Sequence, residues 1–184
     1  GLGDVYKRQV FRPVNRIDKD TSGLVLAAKN AYAAPLLAGR VTKLYYAIAQ
    51  GALPLREGAI DAPIGRRGDS IIGRCVTPEG KPSRTEYTII KEENGLSLAA
   101  CVPVTGRTHQ IRAHMASIGC PILGDSKYGN NTANRELKLK YQALCAWELT
   151  MPHFNQPDFE FLSGKTFHAP KPWYYQQVLD GTLK

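Results

Sequence analysis

Nowhere in this 184-residue chain does an apolar run approach the roughly 18 residues that a helix needs to cross a bilayer, so no membrane partner is expected. Cysteine is scarce. Cys75, Cys101, Cys120 and Cys145 form no C-x-x-C pair and have no histidine at ligand spacing, which argues against a zinc knuckle and for free thiols in a reducing compartment. The opening GLGDVYKRQ lacks the basic-then-apolar form of a secretory leader, and the cytoplasm is the expected location. Acidic residues are also in deficit: 16 Asp and Glu face 24 Lys and Arg, a formal net charge of +8. That excess favours a polyanionic partner without saying which. With 43% apolar and 22% charged residues, the composition is that of one globular domain whose core requires no disulfides.

Residues 1–12 lack periodicity and read as a poorly anchored lead-in to a domain spanning 13–184. Residues 22–28 (SGLVLAA) suit a buried strand, and Asn30 can cap a helix through AYAAPLLAGR. KLYYAIAQ (43–50) reads as a strand. Between Gly51 and Lys81, short apolar pieces such as IIGRCV alternate with Gly, Pro and basic residues, the pattern of short strands and exposed loops. SRTEYTIIK (83–91) and LSLAACVPV (96–104) flank Asn94-Gly95, a strong hairpin signal. THQIRAHMASI (108–118) spaces Ile111, Met115 and Ile118 as a short amphipathic helix ending at Gly119. Strands are expected near 142–150 and 159–162, and the closing KPWYYQQVL can be helical. Many short strands and few helices indicate an α+β fold with a large mixed sheet.

Three constellations stand out. In NRIDKDTSG (15–23), Asp18 sits beside Arg16 at the entrance to the expected strand; it is either a nucleophile or base held by the sheet, or an ordinary turn aspartate. In TGRTHQIRAH (105–114), a strand-to-helix junction gathers Arg107, His109 and Arg112; it either binds an anion or presents its cations to solvent. His109 and His114 are five residues apart rather than four, which disfavours a helical zinc pair. In KLYYAIAQ, Tyr45 and Tyr46 point to opposite faces of a strand, so one can pack in the sheet while the other lines a site.

NRIDKDTSGLVL, KLYYAIAQG and TGRTHQIRAHMASIGCPILGDSKYG, in this order, resemble the three signature segments of the RluA-type pseudouridine synthases. The resemblance runs from about residue 12 to the end, while residues 1–9 share nothing with it. It implies the pseudouridine synthase fold: a large mixed, mostly antiparallel sheet with few short helices and a central active-site cleft. It also implies an isomerase that converts uridine to pseudouridine in ribosomal or transfer RNA, without metal or organic cofactor. Carried over by position, Asp18 is the catalytic aspartate, Tyr45 stacks beside the target base, and Arg112 pairs with the aspartate. Arg16 helps hold the RNA with its base turned out. Breaking the C1′–N1 bond and remaking it at C5 calls for a carboxylate, and a bidentate arginine offsets the cost of desolvating one. Lys43, Arg66, Arg67, Arg74, Lys81, Arg84, Arg107, His109 and Lys127 are candidates for an RNA-binding rim.

Two departures accompany the likeness. Asn15 stands where the family usually has histidine, and only GLGDVYKRQVFRP precedes the first motif, so the chain is expected to be truncated at its N-terminus with a strand edge uncovered. A monomer is expected. One rival reading is an RNA-binding module with this fold and no turnover; another is a metal-dependent hydrolase built from Asp18, Asp20, His109 and His114.

Overall fold

A computed structural model describes residues 10–68 and 73–183; the lead-in residues 1–9, and residues 71–72 of the expected IIGRCV strand, lie outside the described residues. Runs of β-branched and aromatic side chains form the long strands β4 (Thr42–Gln50), β8 (Arg84–Glu93), β9 (Leu96–Pro103) and β10 (Leu144–Thr150). With β5 (Glu57–Asp61) and β11 (Thr166–His168) they make a sheet in the order β11-β10-β4-β9-β8-β5. All of these neighbours are antiparallel, and β2 (Ser22–Gly23) joins as a short parallel partner of β10. Two small ladders stand apart: β1 (Arg12–Pro13) with β3 (Ala27–Ala28), and β6 (Ile64–Arg66) with β7 (Arg74–Val76). The helices are short: α1 (Ala33–Leu37), α2 (Gln110–Ser117), α3 (Asn131–Glu136) and α4 (Trp173–Leu179). None of the helices among the described residues is long and apolar enough to cross a membrane. The result is the α+β architecture with a large, mostly antiparallel sheet.

The period of two along β4 sorts its side chains into two cores. Tyr45, Ala47 and Ala49 join Ile111 and Met115 of α2 on one face, and Tyr46 and Ile48 join Tyr174, Tyr175 and Val178 of α4 on the other. The sheet is therefore covered on both sides at its centre, and Ile48, Leu98 and Met115 are fully buried. Truncating such a side chain to Ala costs about 2–5 kcal/mol. The β8–β9 hairpin turns on Asn94 and Gly95, both at positive φ (53° and 73°), as a two-residue turn of the expected chemistry requires.

Three elements differ from the sequence expectation. Residues 22–28 are not one buried strand but the two-residue pairings β2 and β3, largely exposed, because Gly23 at φ 112° breaks the extended run. Residues 159–162 are not a strand but part of a 3₁₀ turn, Pro157–Leu162, with proline at its start and only Phe159 buried. Helix α2 begins at Gln110 rather than Thr108, because His109 takes the left-handed conformation (φ 57°).

Two ties bring the loop that carries Asp18 to the sheet. Gly23 pairs with Ala146 so closely that a Cβ built there would collide with the Ala146 carbonyl. Next to it, Leu24 N–H donates to that same oxygen at 2.8 Å. From the other side, the Gln142 amide donates to Lys19 O (2.7 Å) and Thr21 Oγ1 (3.0 Å). Gly23→Ala should therefore cost at least about 1–3 kcal/mol through backbone strain. Chemical denaturation measures this, and an unchanged midpoint would show that the close approach is not required.

Candidate functional site

A cleft of about 300 Å³ opens where the 15–21 loop, β4 and the 103–108 loop meet, and its walls include Arg16, Asp18, Lys43, Tyr45, Arg107 and Thr108. Each reaches it for a local reason. Lys43 and Tyr45 are two apart on β4 and share a face. Asp18 sits in a tight turn whose carbonyl accepts Thr21 N–H at 3.1 Å, followed by Asp20 at φ 66°. The 105–108 loop is laced to the N-terminus of α2. The Gln110 side-chain oxygen accepts from Thr105 Oγ1 (2.6 Å) and Arg107 N–H (3.0 Å). Its amide donates to Arg84 O (2.9 Å) and Thr85 Oγ1 (3.1 Å).

Behind the cleft lies a cluster of buried charge. Arg112, 5% exposed at its side chain, makes a two-pronged contact with the fully buried Asp125, Nε to Oδ2 at 2.6 Å and Nη2 to Oδ1 at 2.9 Å. Its third nitrogen, Nη1, faces Asp18 Oδ2 at 3.5 Å. The other Asp18 oxygen, Oδ1, is met by the His109 backbone N–H at 3.4 Å. The sequence expectation pairs Arg112 with Asp18; the contact is present, but Asp125 is the closer and bidentate partner. Burial works against the Arg112 charge, and hydrogen bonding and attraction from Asp125 outweigh it, so its pKa is raised. Nor does Arg112 occupy an exposed helix face. Every residue from Gln110 to Met115 is buried, because α2 is packed between the large sheet and strand β7 of the small ladder, with Arg112 turned to Asp125.

Burial raises the Tyr45 hydroxyl to about 12, with the Asp18 charge adding to it, so the ring stays neutral. Lys43 is shifted the other way, its pKa lowered by desolvation, and among the described residues no hydrogen bond or ion pair engages its ammonium. Arg16 reaches Thr108 Oγ1 at 3.4 Å. An aspartate, a neutral aromatic ring and three cations thus share one small opening. Such a set can accept an anion at its rim, stack a flat ring, and apply a carboxylate to the atom held between them.

The remaining candidates fall elsewhere. Arg66 and Arg67 are exposed at the β6 end of the small ladder, off the cleft wall. Arg84 is also off the wall and is engaged by Asp61 (3.2 Å) and Glu86 (3.0 Å). The His109 ring is turned away from the cleft to Tyr128 Oη, 2.9 Å from Nδ1. His114 lies fully buried with Nε2 against Ala62 O and Nδ1 against Thr85 Oγ1, both at 2.9 Å. Asp18, Asp20, His109 and His114 therefore do not converge, and among the described residues no group of three or more His, Cys, Asp or Glu side chains can hold a metal ion. The side chains not foreseen are Asp125, Gln110 and Tyr128. Asp125 and Tyr128 stand in GDSKYG, where an acidic and an aromatic residue between glycines were the available signal.

Asp125→Asn leaves a buried guanidinium without its close counter-charge. We expect a loss of about 3–5 kcal/mol in folding stability, the usual consequence of removing one partner of a buried pair. Urea unfolding reads it, and a loss below about 1 kcal/mol would mean that the pair is not structural.

The family described as "RNA pseudouridylate synthase" matches residues 3–117 of this chain, a range that takes in part of the stretch ahead of the first motif. A protein of Bacillus subtilis (strain 168), "Uncharacterized RNA pseudouridine synthase YjbO", is 37% identical over 191 residues, covering 98% of this chain and 64% of its own length. "Ribosomal large subunit pseudouridine synthase D" of Nitrosomonas europaea is 43% identical over 155 residues, covering 78% of this chain and 45% of its own. This chain therefore spans less than two-thirds of either relative. Among solved structures, "Human RNA Pseudouridylate Synthase Domain Containing 1" superposes with a TM-score of 0.74 at 27% identity, over 96% of this chain and 75% of that one.

Proposed function

Because this chain belongs to the RNA pseudouridylate synthase family, we propose that it isomerises uridine to pseudouridine within RNA, with Asp18 as the reacting carboxylate. The observation that carries the proposal is the placement of Asp18: it stands in the cleft wall, with one oxygen facing Arg112 and the other facing the His109 amide. Asp18 acts at the ribose while the bond from C1′ to N1 breaks. The uracil turns, C1′ bonds to C5, C5 gives up its proton and N1 gains one. Atoms balance with no net oxidation, so the chemistry consumes no co-reactant. Arg112, itself held by Asp125, supplies a fixed positive partner for the carboxylate from a position almost sealed from solvent.

A 300 Å³ cleft is at the small end of ligand sites and admits one nucleotide rather than a helix. The target uridine must leave its stack, at a cost of a few kcal/mol. Stacking on the neutral Tyr45 ring returns about 1–3 kcal/mol. Arg16, Lys43 and Arg107 then bind backbone phosphate at the rim, where Lys43, desolvated and without a partner among the described residues, gains most from an anion. Arg66 and Arg67, off that wall, contribute to the general positive field rather than to the held nucleotide, whereas Arg84 is offset by Asp61 and Glu86 and the His109 ring is turned to Tyr128. The Nitrosomonas relative is named for the large ribosomal subunit, and ribosomal RNA is the substrate class we propose.

The test is pseudouridine mapping on unmodified large-subunit ribosomal RNA transcript, with transfer RNA in parallel. We expect product from the wild-type chain and a fall of at least about a thousandfold in Asp18→Asn. Equal turnover by the variant would sink the mechanism, and binding without product by the wild-type chain would favour an RNA-binding module. Lys43→Ala should reduce the slope of log affinity against log salt by about one, as removal of one phosphate contact does. An unchanged slope would take Lys43 off the RNA path.

A further inference from the structure

Asp18 is held by two donors, and one side chain outside the cleft touches both. Tyr128, half-buried in the loop after Asp125, lies under the Arg112 guanidinium, whose central carbon is 5.2 Å from the ring centroid. Its hydroxyl is 2.9 Å from His109 Nδ1, and the two rings meet edge-on with centroids 5.7 Å apart. Through that ring it sets the residue whose backbone N–H faces Asp18 Oδ1. His109 is held at φ 57°, a conformation that a non-glycine residue leaves readily unless something fixes it. Tyr128 is itself anchored at both ends. Its backbone N–H donates to Asp125 Oδ1 at 3.1 Å, and its hydroxyl oxygen accepts the Arg74 N–H of β7 at 3.0 Å.

We propose that Tyr128 is a positioning residue that holds His109 and Arg112, and through them both carboxylate oxygens of Asp18, in the reactive orientation. This rests on the reading of Asp18 as the reacting carboxylate.

The hydrogen-bond directions are consistent with it. With Arg74 N–H occupying a lone pair, the Tyr128 hydroxyl is free to donate to Nδ1, which assigns the His109 proton to Nε2. Burial raises the Tyr128 pKa, so the hydroxyl keeps its proton. Burial lowers the His109 pKa despite Asp18, which keeps the imidazole neutral and able to accept. Asp18 and Asp125 favour its protonation, and Arg112 and Lys127 oppose it. A donor bound to the neutral ring opposes it further.

Tyr128→Phe removes the hydroxyl and keeps the ring under Arg112, separating the two ties. Below its melting temperature, on large-subunit ribosomal RNA transcript, we expect the single-turnover rate to fall roughly 10- to 100-fold, with RNA affinity within about twofold of wild type. The His109 titration, followed by NMR on the free protein, should move to higher pH because its donor is gone. His109→Ala combined with Tyr128→Phe should be no slower than His109→Ala alone, since the hydroxyl acts through that ring. An unchanged rate or an unmoved His109 titration overturns the proposal. If the wild-type chain itself makes no product, the reading of Asp18 fails, and the NMR titration alone decides whether Tyr128 governs His109.

Discussion

A guanidinium almost sealed from water, locked by two hydrogen bonds to a carboxylate that is itself fully buried, is the constraint around which this site is organised. Each ion is costly to bury alone, and the pair is tolerable because the remaining Asp125 lone pairs take the backbone N–H groups of Lys127 and Tyr128. Two of the Arg112 nitrogens being committed, planarity dictates where the third points, and it points at Asp18. The orientation of the cleft carboxylate is thus set by groups that do not line the cleft.

The pair can be held this way because both partners hang from rigid backbone. Helix α2 is clamped over the sheet by Ile111 and Met115, whose core includes Tyr45 of the central strand. The Asp125 loop is pinned by Asn134, which donates to Asp125 O at 3.1 Å and accepts Gly124 N–H at 2.8 Å. The Asp18 loop hangs from β10 through Gly23. A loop near the start of the chain thus meets a helix and loop about a hundred residues later, and that early loop bears the cleft carboxylate.

Much of this was legible beforehand where local chemistry decides the outcome. Asn94-Gly95 admits the positive φ of a tight hairpin, and alternation along KLYYAIAQ divides Tyr45 from Tyr46 as the two cores require. The three motif segments pointed to Asp18, Tyr45 and Arg112, which the fold brings to one cleft and its rear wall. Where tertiary context decides, local pattern misled. The apolar run at 22–28 looked like a strand, yet it pairs with β10 only at Ser22 and Gly23 and with β1 at Ala27 and Ala28. FEFL at 159–162 looked like a strand, yet it follows a proline and caps the small core of Leu37, Met151 and Phe154. Arg84 looked like a free cation until the fold set Asp61 on β5 and Glu86 on its own strand beside it.

What the sequence by itself determined was the chemistry available: an excess of positive charge, one aspartate among basic neighbours, a tyrosine on an alternating strand, and an arginine in a donor-rich junction. Those follow from residue type and short-range periodicity, which need no knowledge of what lies across the fold. Only the tertiary structure decided which cations remain unpaired, that Arg112 is buried rather than exposed, and that Asp125 and Tyr128 stand behind it. Pairing of charges depends on which atoms come within a few ångströms, and between residues 18, 112 and 125 that distance is set by the packing of a loop and a helix against a sheet.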